Sequence, residues 1–232
     1  MNRHEKALEK LKSGAFIPAN PLALTKDRQF DEEGQRLLTR YYLNAGSGGI
    51  AAAVHTTQFE IRLPKYHLFE RVLQTAAEEI EAFEQAHDTV IIRVAGVCGE
   101  LAQAVSEAQT AKALGYDAVL LSPGGLNHLT EEELLLRTEA VADVLPVIGF
   151  YLQTAVGGRQ FSYSYWQRLC EIKRVAAIKC ASFNRYTTLD VMRAAAFSSR
   201  GDELALYTGN DDNIVIDLLT RYSFTENGVT KT

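Results

Sequence analysis

An amine and a phenol stand near the ends of two successive apolar segments, and together they could carry out imine chemistry. Lys179 lies in the segment 175–181, whose other members are Val, Ala, Ile and Cys, as expected of a buried strand. Lysine is almost never fully buried without a partner or a purpose. An amine in apolar surroundings has a lowered pKa, because its charged form loses hydration, and it then serves as a nucleophile. The alternative is a lysine whose stem lies along the core while its ammonium group reaches water.

The phenol is Tyr151, in the apolar segment 147–152, and Lys179 follows it by 28 residues. If the two segments are neighbouring parallel strands, we expect both side chains at their carboxyl ends to converge on one substrate atom. We place Tyr151 on the face of Gly149 and Lys179 on the face of Ala177, where small neighbours leave room. The phenol would then carry protons to and from an imine. The alternative is a core tyrosine whose hydroxyl group bonds to a polar partner.

Two further strand ends carry polar groups. The segment 49–55 leads into His55-Thr56-Thr57, whose hydroxyl and N–H groups suit an anion such as a carboxylate. A histidine in this place is more often a hydrogen-bonded structural residue than an acid or base, although its pKa allows catalysis. The segment 204–208 leads into Gly209 and Asn210, and the glycine permits close approach of a ligand to the backbone.

No metal or cofactor is predicted. Asp211 and Asp212 follow Asn210, but two carboxylates are too few for a metal site and are typical of a helix cap. The three cysteines have no metal-type spacing, so we interpret them as free thiols of a cytoplasmic protein.

Strand-like and helix-like segments alternate along the chain, and they must position these residues. Thr130 and Glu133 form a capping-box pattern at the start of one helix. The predicted strands are 15–19, 49–55, 89–95, 118–122, 147–152, 175–181 and 204–208. The predicted helices are 34–43, 68–85, 101–114, one from Thr130, 164–171, 188–196 and one from 213 to 220.

This alternation predicts an α/β fold with a parallel sheet covered by helices. The turn after the first predicted strand lacks the glycines of a dinucleotide site, so a (β/α)8 TIM-barrel type fits better than an open doubly wound sheet. We expect one domain over residues 1–232 with about seven βα units. The polar segment 224–232 cannot supply an eighth core strand.

Composition excludes several classes of function. The chain has 232 residues, 47% hydrophobic and 23% charged, as is ordinary for a soluble globular protein. A net charge of -5 and the lack of a basic stripe argue against nucleic acid as a partner. No apolar stretch approaches the length of a membrane span, and the charged N-terminus does not resemble a signal peptide.

Several segments together resemble the dihydrodipicolinate synthase/N-acetylneuraminate lyase family of class I aldolases. They are Gly149-Phe150-Tyr151, Ala177-Ile178-Lys179-Cys180-Ala181, the strand 49–57 and Tyr207-Thr208-Gly209-Asn210-Asp211. The 28-residue spacing agrees as well, and the resemblance runs from residue 16 to residue 222. It implies that an eighth strand and C-terminal helices of the family are missing from this chain, which makes it a C-terminally truncated member. We then expect unpaired edges at the first and seventh strands and exposed apolar faces on the first and seventh helices.

The resemblance also implies a reaction. Lys179 would form a Schiff base with the keto carbon of pyruvate or a related 2-keto acid, and Tyr151 would relay protons. Thr56 and Thr57 would bind the carboxylate, and we place His55, Gly209 and Asn210 in the same substrate site. The expected partners are a keto acid and an aldehyde, and the expected assembly is a homodimer or homotetramer.

Three departures from the family pattern shape this prediction. The turn reads Val54-His55-Thr56-Thr57-Gln58 where the family has Gly-Thr-Thr-Gly-Glu, and 122–126 lacks the tyrosine that synthases carry after Pro123. The synthase arginine has no clean match, and Arg159 is the nearest candidate. We therefore expect a lyase, aldolase or dehydratase acting on another keto acid. The alternatives are a truncated, catalytically silent family member and a small keto-acid-binding protein.

Overall fold

The computed structural model describes residues 1–232 and contains two compact units. The first unit comprises Met1–Val97 and Gln103–Leu120, and the second comprises Cys98–Ala102 and Leu121–Thr232. The strands are β1 (Gly49–Ala52), β2 (Ile92–Val97), β3 (Ala118–Leu121), β4 (Val147–Leu152), β5 (Val175–Ala181), β6 (Ala205–Thr208), β7 (Phe224–Glu226) and β8 (Val229–Lys231). The helices are α1 (Arg3–Ser13), α2 (Glu32–Asn44), α3 (Phe69–His87), α4 (Leu101–Ala113), α5 (Glu131–Ala142), α6 (Tyr163–Glu171), α7 (Arg185–Phe197) and α8 (Ile214–Leu219).

The protein has an α/β fold built on a parallel sheet. The sheet has six strands in the order β1 to β6, the same as their order in the chain. In the first unit β1 pairs with β2 from Gly49↔Ile92 to Ala52↔Ala95. In the second unit β5 lies between β4 and β6, parallel to both. The predicted class is confirmed.

The count of seven βα units is not confirmed, because the first predicted strand is not a strand. Residues 15–19 lie beside β1 and form a single parallel bridge, Ala19↔Ala51. The backbone N–H of Ala51 donates a hydrogen bond to the carbonyl oxygen of Pro18, and that of Gly48 donates to the carbonyl oxygen of Phe16. Pro18 has no N–H group to continue a ladder, which explains why a bridge forms in place of a strand.

Helix starts follow the capping chemistry of the sequence. The predicted capping box of α5 is confirmed: the Thr130 side chain accepts from the N–H of Glu133, and the Glu133 carboxylate accepts from the N–H of Thr130. Helix α1 begins with the same device, formed by Asn2 and Glu5. This helix is not among those predicted, although the Asn-x-x-Glu pattern that marks its start is present in the sequence.

An ion-pair network ties α1 to the first unit. Arg3 reaches Asp117 at 2.6 Å and Glu84 at 2.9 Å, and Glu84 also binds Arg93 at 2.7 Å. The Asp117 carboxylate accepts the backbone N–H of Arg93 as well. These bonds satisfy polar groups where β2 and β3 begin, so α1 is fixed by charge-assisted hydrogen bonds in addition to its buried Leu11.

The expected exposure of apolar side chains on the first and seventh predicted helices, α2 and α8, is confirmed. Leu37 and Tyr41 of α2 are 64% and 66% exposed, and Leu218 and Leu219 of α8 are 71% and 80% exposed. Residues 224–232 do not join the main sheet, as expected, but they form an exposed antiparallel hairpin that the sequence analysis did not predict. Glu226 of this hairpin accepts a hydrogen bond from Tyr163 at 2.8 Å.

None of the helices has the length and apolar character that crossing a membrane requires. The structure also contains no cluster of three or more His, Cys, Asp and Glu side chains able to hold a metal ion.

Candidate active site

Lys179 lies near the carboxyl end of β5 with its amine largely removed from water. Burial lowers the pKa of this amine from its ordinary value, and the charge of Asp211 opposes the shift. A lowered pKa increases the unprotonated fraction that can act as a nucleophile.

Glycine at position 209 makes room for this lysine. A Cβ on Gly209 would lie 2.5 Å from Cε of Lys179 and 3.2 Å from the Cβ of Ala181. The Gly209 N–H donates to the carbonyl oxygen of Cys180 at 2.6 Å, so the backbone beneath the lysine stem is fixed. The sequence analysis assigned Gly209 to the substrate site, and the structure places it directly against the predicted nucleophile.

Two aromatic residues share the face of the lysine, Phe150 of β4 on one side and Tyr207 of β6 on the other. Phe150 and Lys179 are directly opposite each other in the ladder between β4 and β5. Nζ of Lys179 lies 5.1 Å from the centroid of the Phe150 ring. The ring withholds water from one side of the amine while its π face still interacts with the charged form.

Tyr151 lies on the other face of the sheet. It is opposite Cys180, it is 2% exposed, and its ring centroid is 4.8 Å from Trp166 of α6 and 5.8 Å from Phe161. Because successive side chains of a strand alternate between faces, Tyr151 does not share the face of Lys179. The expected convergence of these two side chains is therefore wrong.

The reason is a local irregularity in the ladder. The register begins with Val147↔Val175, and if it continued unchanged Tyr151 would oppose Lys179. It shifts between Val147 and Ile148, so that Ile148 opposes Ala177. A bulge of one residue exchanges the faces of everything that follows, which brings Phe150 opposite the lysine.

The three residues expected to bind a carboxylate form a short 3₁₀ helix, His55–Thr57, in the first unit. His55 and Thr56 are exposed, and the His55 ring lies 5.5 Å from the Phe59 ring. Thr57 is buried, and its hydroxyl group donates to the carbonyl oxygen of Asn20 at 2.6 Å. The hydrogen bond from Thr57 therefore stabilises the loop, and the hydroxyl group of Thr56 is the one that solvent or a ligand can reach.

The side-chain amide of Asn210 is hydrogen-bonded within the protein. It is 4% exposed; its Oδ1 accepts the N–H of Phe183, and its Nδ2 donates to Thr188 at 3.2 Å and to Asp217 at 2.9 Å. With both ends of its amide bonded inside the second unit, Asn210 fixes the loop after β6. The structure thus places a positioning group where the sequence analysis expected a substrate contact.

Arg159 likewise has internal partners. Its Nη1 donates to the carbonyl oxygen of Leu129 at 2.5 Å, and its guanidinium group lies 5.5 Å from the centroid of the Phe161 ring. These contacts hold the loop after β4 against the segment before α5.

Sequence reasoning missed a buried cation next to the threonine loop. Arg62 contacts Glu107 at 2.9 Å and donates to the carbonyl oxygens of Ala53 and Gly96. No motif marks this arginine, because its partners lie just after β1, in β2 and in α4 and meet only in the folded chain.

The fold and the site define a parallel α/β protein with a shielded lysine amine at the carboxyl end of a strand. The sequence model of the Dihydrodipicolinate synthetase family matches residues 13–221, and the chain belongs to this family.

Relatives agree with this assignment. The chain is 26% identical over 212 residues to the 4-hydroxy-tetrahydrodipicolinate synthase of Moorella thermoacetica (strain ATCC 39073 / JCM 9320), covering 89% of this chain and 66% of that protein. Among solved structures it resembles the chloride-inhibited dihydrodipicolinate synthase from Acinetobacter baumannii complexed with pyruvate, with 23% identity, a TM-score of 0.71, and coverage of 86% of this chain and 65% of that one. It also resembles YagE, a prophage protein of the same family from E. coli K12 in complex with pyruvate, with 19% identity, a TM-score of 0.72, and coverage of 88% and 66%.

The matched part is shorter than these relatives. The chain spans about two thirds of the length of the Moorella thermoacetica synthase, 66%, and 60% of the length of the synthase from Geotalea uraniireducens (strain Rf4).

Proposed function

We propose that this protein is a Schiff-base-forming lyase or aldolase, or a dehydratase, acting on pyruvate or a related 2-keto acid. The observation that carries the proposal is the amine of Lys179, which occupies the position that the family motif assigns to a nucleophile. Burial lowers the pKa of this amine. Two structurally similar relatives are described as complexes with pyruvate, which supports pyruvate as the keto acid.

The proposed first step is imine formation. The unprotonated amine attacks the keto carbon to give a carbinolamine, whose hydroxyl group takes up a proton from solvent and leaves as water to give a protonated imine. That cation accepts electron density when the bond next to the former carbonyl carbon breaks or forms. Asp211, whose charge favours the protonated amine, would also favour the protonated imine.

The ring of Phe150 would line the apolar side of the bound keto acid, because it lies beside Nζ of Lys179. Thr56 belongs to the first unit, and we propose that its exposed hydroxyl group binds the carboxylate of the keto acid, as the family resemblance implies. His55 is exposed beside it and is proposed as a further contact. The role of Tyr151 as a proton relay is a prediction that needs its own test, because its ring lies on the other face of the sheet.

The remaining parts of the proposal rest on the resemblance alone. They are an aldehyde as the second substrate and a homodimer or homotetramer as the assembly. Cytoplasmic residence is proposed separately, from the three free cysteines. Dihydrodipicolinate synthesis itself is disfavoured, because residues 122–126 lack the synthase tyrosine and Arg159 is bonded within the protein.

Borohydride trapping tests the proposal. Incubation with pyruvate and borohydride should add the mass of a reduced pyruvate imine to Lys179, located by peptide mass spectrometry. The matched control is Lys173→Arg, which removes a lysine outside β5 and should be labelled like the wild type. A folded wild-type protein that gains no adduct, under conditions that label a known aldolase, would falsify the proposal.

A second candidate function is keto-acid binding without turnover. The observation that favours it is the position of Tyr151, whose phenol lies on the other face of the sheet from Lys179. It predicts that pyruvate raises the melting temperature while borohydride produces no adduct. An adduct on Lys179 would exclude it.

A further inference from the structure

A buried guanidinium group closes the loop that carries Thr56. Arg62 is the last residue of a 3₁₀ helix, Phe59–Arg62, and its side chain is only 8% exposed. Its Nη2 donates to the carbonyl oxygen of Ala53 at 3.0 Å and to that of Gly96 at 2.8 Å. In the ladder between β1 and β2, these two residues come directly after the last pair, Ala52↔Ala95. One planar group therefore joins the ends of two neighbouring strands and both ends of the loop 53–62.

The start of this loop has an unfavourable backbone conformation. Ala53 has a φ of 57°, in the left-handed region that is unfavourable for a residue with a Cβ. Gly96 has no side chain, and a Cβ there would lie 2.6 Å from the carbonyl carbon of Ala53 and 2.8 Å from Cα of Val54. The close approach of the two backbones and the bond from Arg62 hold Ala53 in this conformation.

The rest of the guanidinium group is shielded by side chains. Its Nε donates a hydrogen bond to Glu107 of α4 at 2.9 Å. Its Cζ lies over the rings of Phe59 and Phe69, at 5.6 Å and 4.7 Å from their centroids. Its Nη1 is buried without an acceptor.

Stability alone does not explain a cation in this place. A buried ion pair is often no more stabilising than well-packed apolar side chains, and an unpaired buried N–H group carries a cost. The flat fork of arginine, in contrast, fixes two carbonyl oxygens at once, which a lysine cannot reproduce. The contribution of Arg62 is therefore to fix the conformation of the loop 53–62.

We propose that Arg62 is a positioning residue for the keto-acid carboxylate: it holds the loop from Ala53 to Thr57 in the conformation that presents Thr56, without itself touching the substrate. This inference rests on the proposed function, in which Thr56 binds that carboxylate. Small displacements of a binding group cost affinity steeply, so loosening this loop weakens pyruvate binding more than it slows the chemistry at Lys179.

The first test compares two conservative variants. In Arg62→Lys the charge opposite Glu107 is kept and the double hold on the carbonyl oxygens is lost. The pyruvate concentration giving half-maximal borohydride trapping should rise about tenfold, while the trapping rate at saturation changes less than about threefold. Arg71→Lys is the control, because Arg71 also pairs with a glutamate, Glu32, and lies over a phenylalanine, Phe30, but outside this loop. It should match the wild type.

Hydrogen exchange gives a readout that needs no substrate. In Arg62→Lys the amides of residues 53–58 should exchange faster, while those of β5 exchange at the wild-type rate. A folded Arg62→Lys protein with wild-type half-saturation and wild-type exchange would overturn the inference.

If Arg62→Lys does not fold, the double variant Arg62→Met with Glu107→Gln decides, because it leaves no unpaired buried charge. The inference expects the same rise in half-saturation, and a folded double variant with the wild-type value overturns it. Failure of the proposed function is distinguishable: the wild-type protein itself would then gain no adduct, and the exchange of residues 53–58 would still report whether Arg62 holds the loop.

Discussion

Lys179 and Phe150 face each other across the ladder of β4 and β5, with Nζ of the lysine 5.1 Å from the centroid of the ring. On the β4 side the neighbour of the predicted nucleophile is therefore this ring and not the phenol of Tyr151, while Tyr207 of β6 lies opposite the lysine on the other side. Burial lowers the pKa of the amine.

Adding a methyl group under the lysine should disable it. In Gly209→Ala the new Cβ would lie 2.5 Å from Cε of Lys179, so the lysine stem must move. We expect the rate of pyruvate-imine trapping to fall at least about tenfold. Gly124→Ala is the control in the same unit, since its nearest atoms are side-chain ends at 3.2 Å, and it should trap at the wild-type rate. Equal rates for both variants would show that the lysine position is not critical.

Removing the amine should stabilise the protein in a pH-dependent manner. The folded-state pKa of Lys179 is lowered below the unfolded value, so the unfolded chain binds this proton more readily and the charged form destabilises the fold. Lys179→Met should therefore raise the melting temperature at pH 6 to 7. The advantage should shrink as pH rises from the lowered folded pKa toward about 10.5, the ordinary lysine value. A gain in stability that is independent of pH would contradict this explanation.

Tyr151→Phe tests the proton relay. The ring packs against Trp166 on the helix side of β4, so we expect the variant to trap a pyruvate imine within about threefold of the wild-type rate. A loss of a hundredfold or more, the size typical of a removed general acid or base, would instead support the relay. Circular dichroism and a melting curve should accompany the measurement, because Tyr151 is part of an aromatic cluster.

The two adjacent threonines should behave differently. Thr57→Val removes the donor to the Asn20 carbonyl oxygen and should destabilise the fold by about 1 to 3 kcal/mol in urea unfolding. Thr56→Val changes an exposed residue and should leave stability within about 0.5 kcal/mol. It should instead raise the pyruvate concentration needed for half-maximal trapping. The opposite pattern would move carboxylate binding to Thr57.

Local patterns in the sequence predicted most of the second unit. The segments 147–152 and 175–181 are strands with the predicted bounds, and Thr130 caps α5 as its pattern requires. In these places the apolar period and the capping chemistry agree with the final packing. The prediction failed for residues 15–19, where a proline stops a ladder, and for the N-terminal helix, whose Asn2–Glu5 capping box was overlooked.

The sequence by itself determined that the protein is a parallel α/β chain with a lysine in an apolar strand, and that Gly209 follows a strand end. Those features depend on neighbours within a few residues, which the sequence shows directly. The tertiary structure alone decided which residue of β4 faces Lys179, because a bulge between Val147 and Ile148 shifts the ladder by one residue. It also decided that Arg62 closes the threonine loop, since the bonds of its guanidinium group join segments that are far apart in the chain.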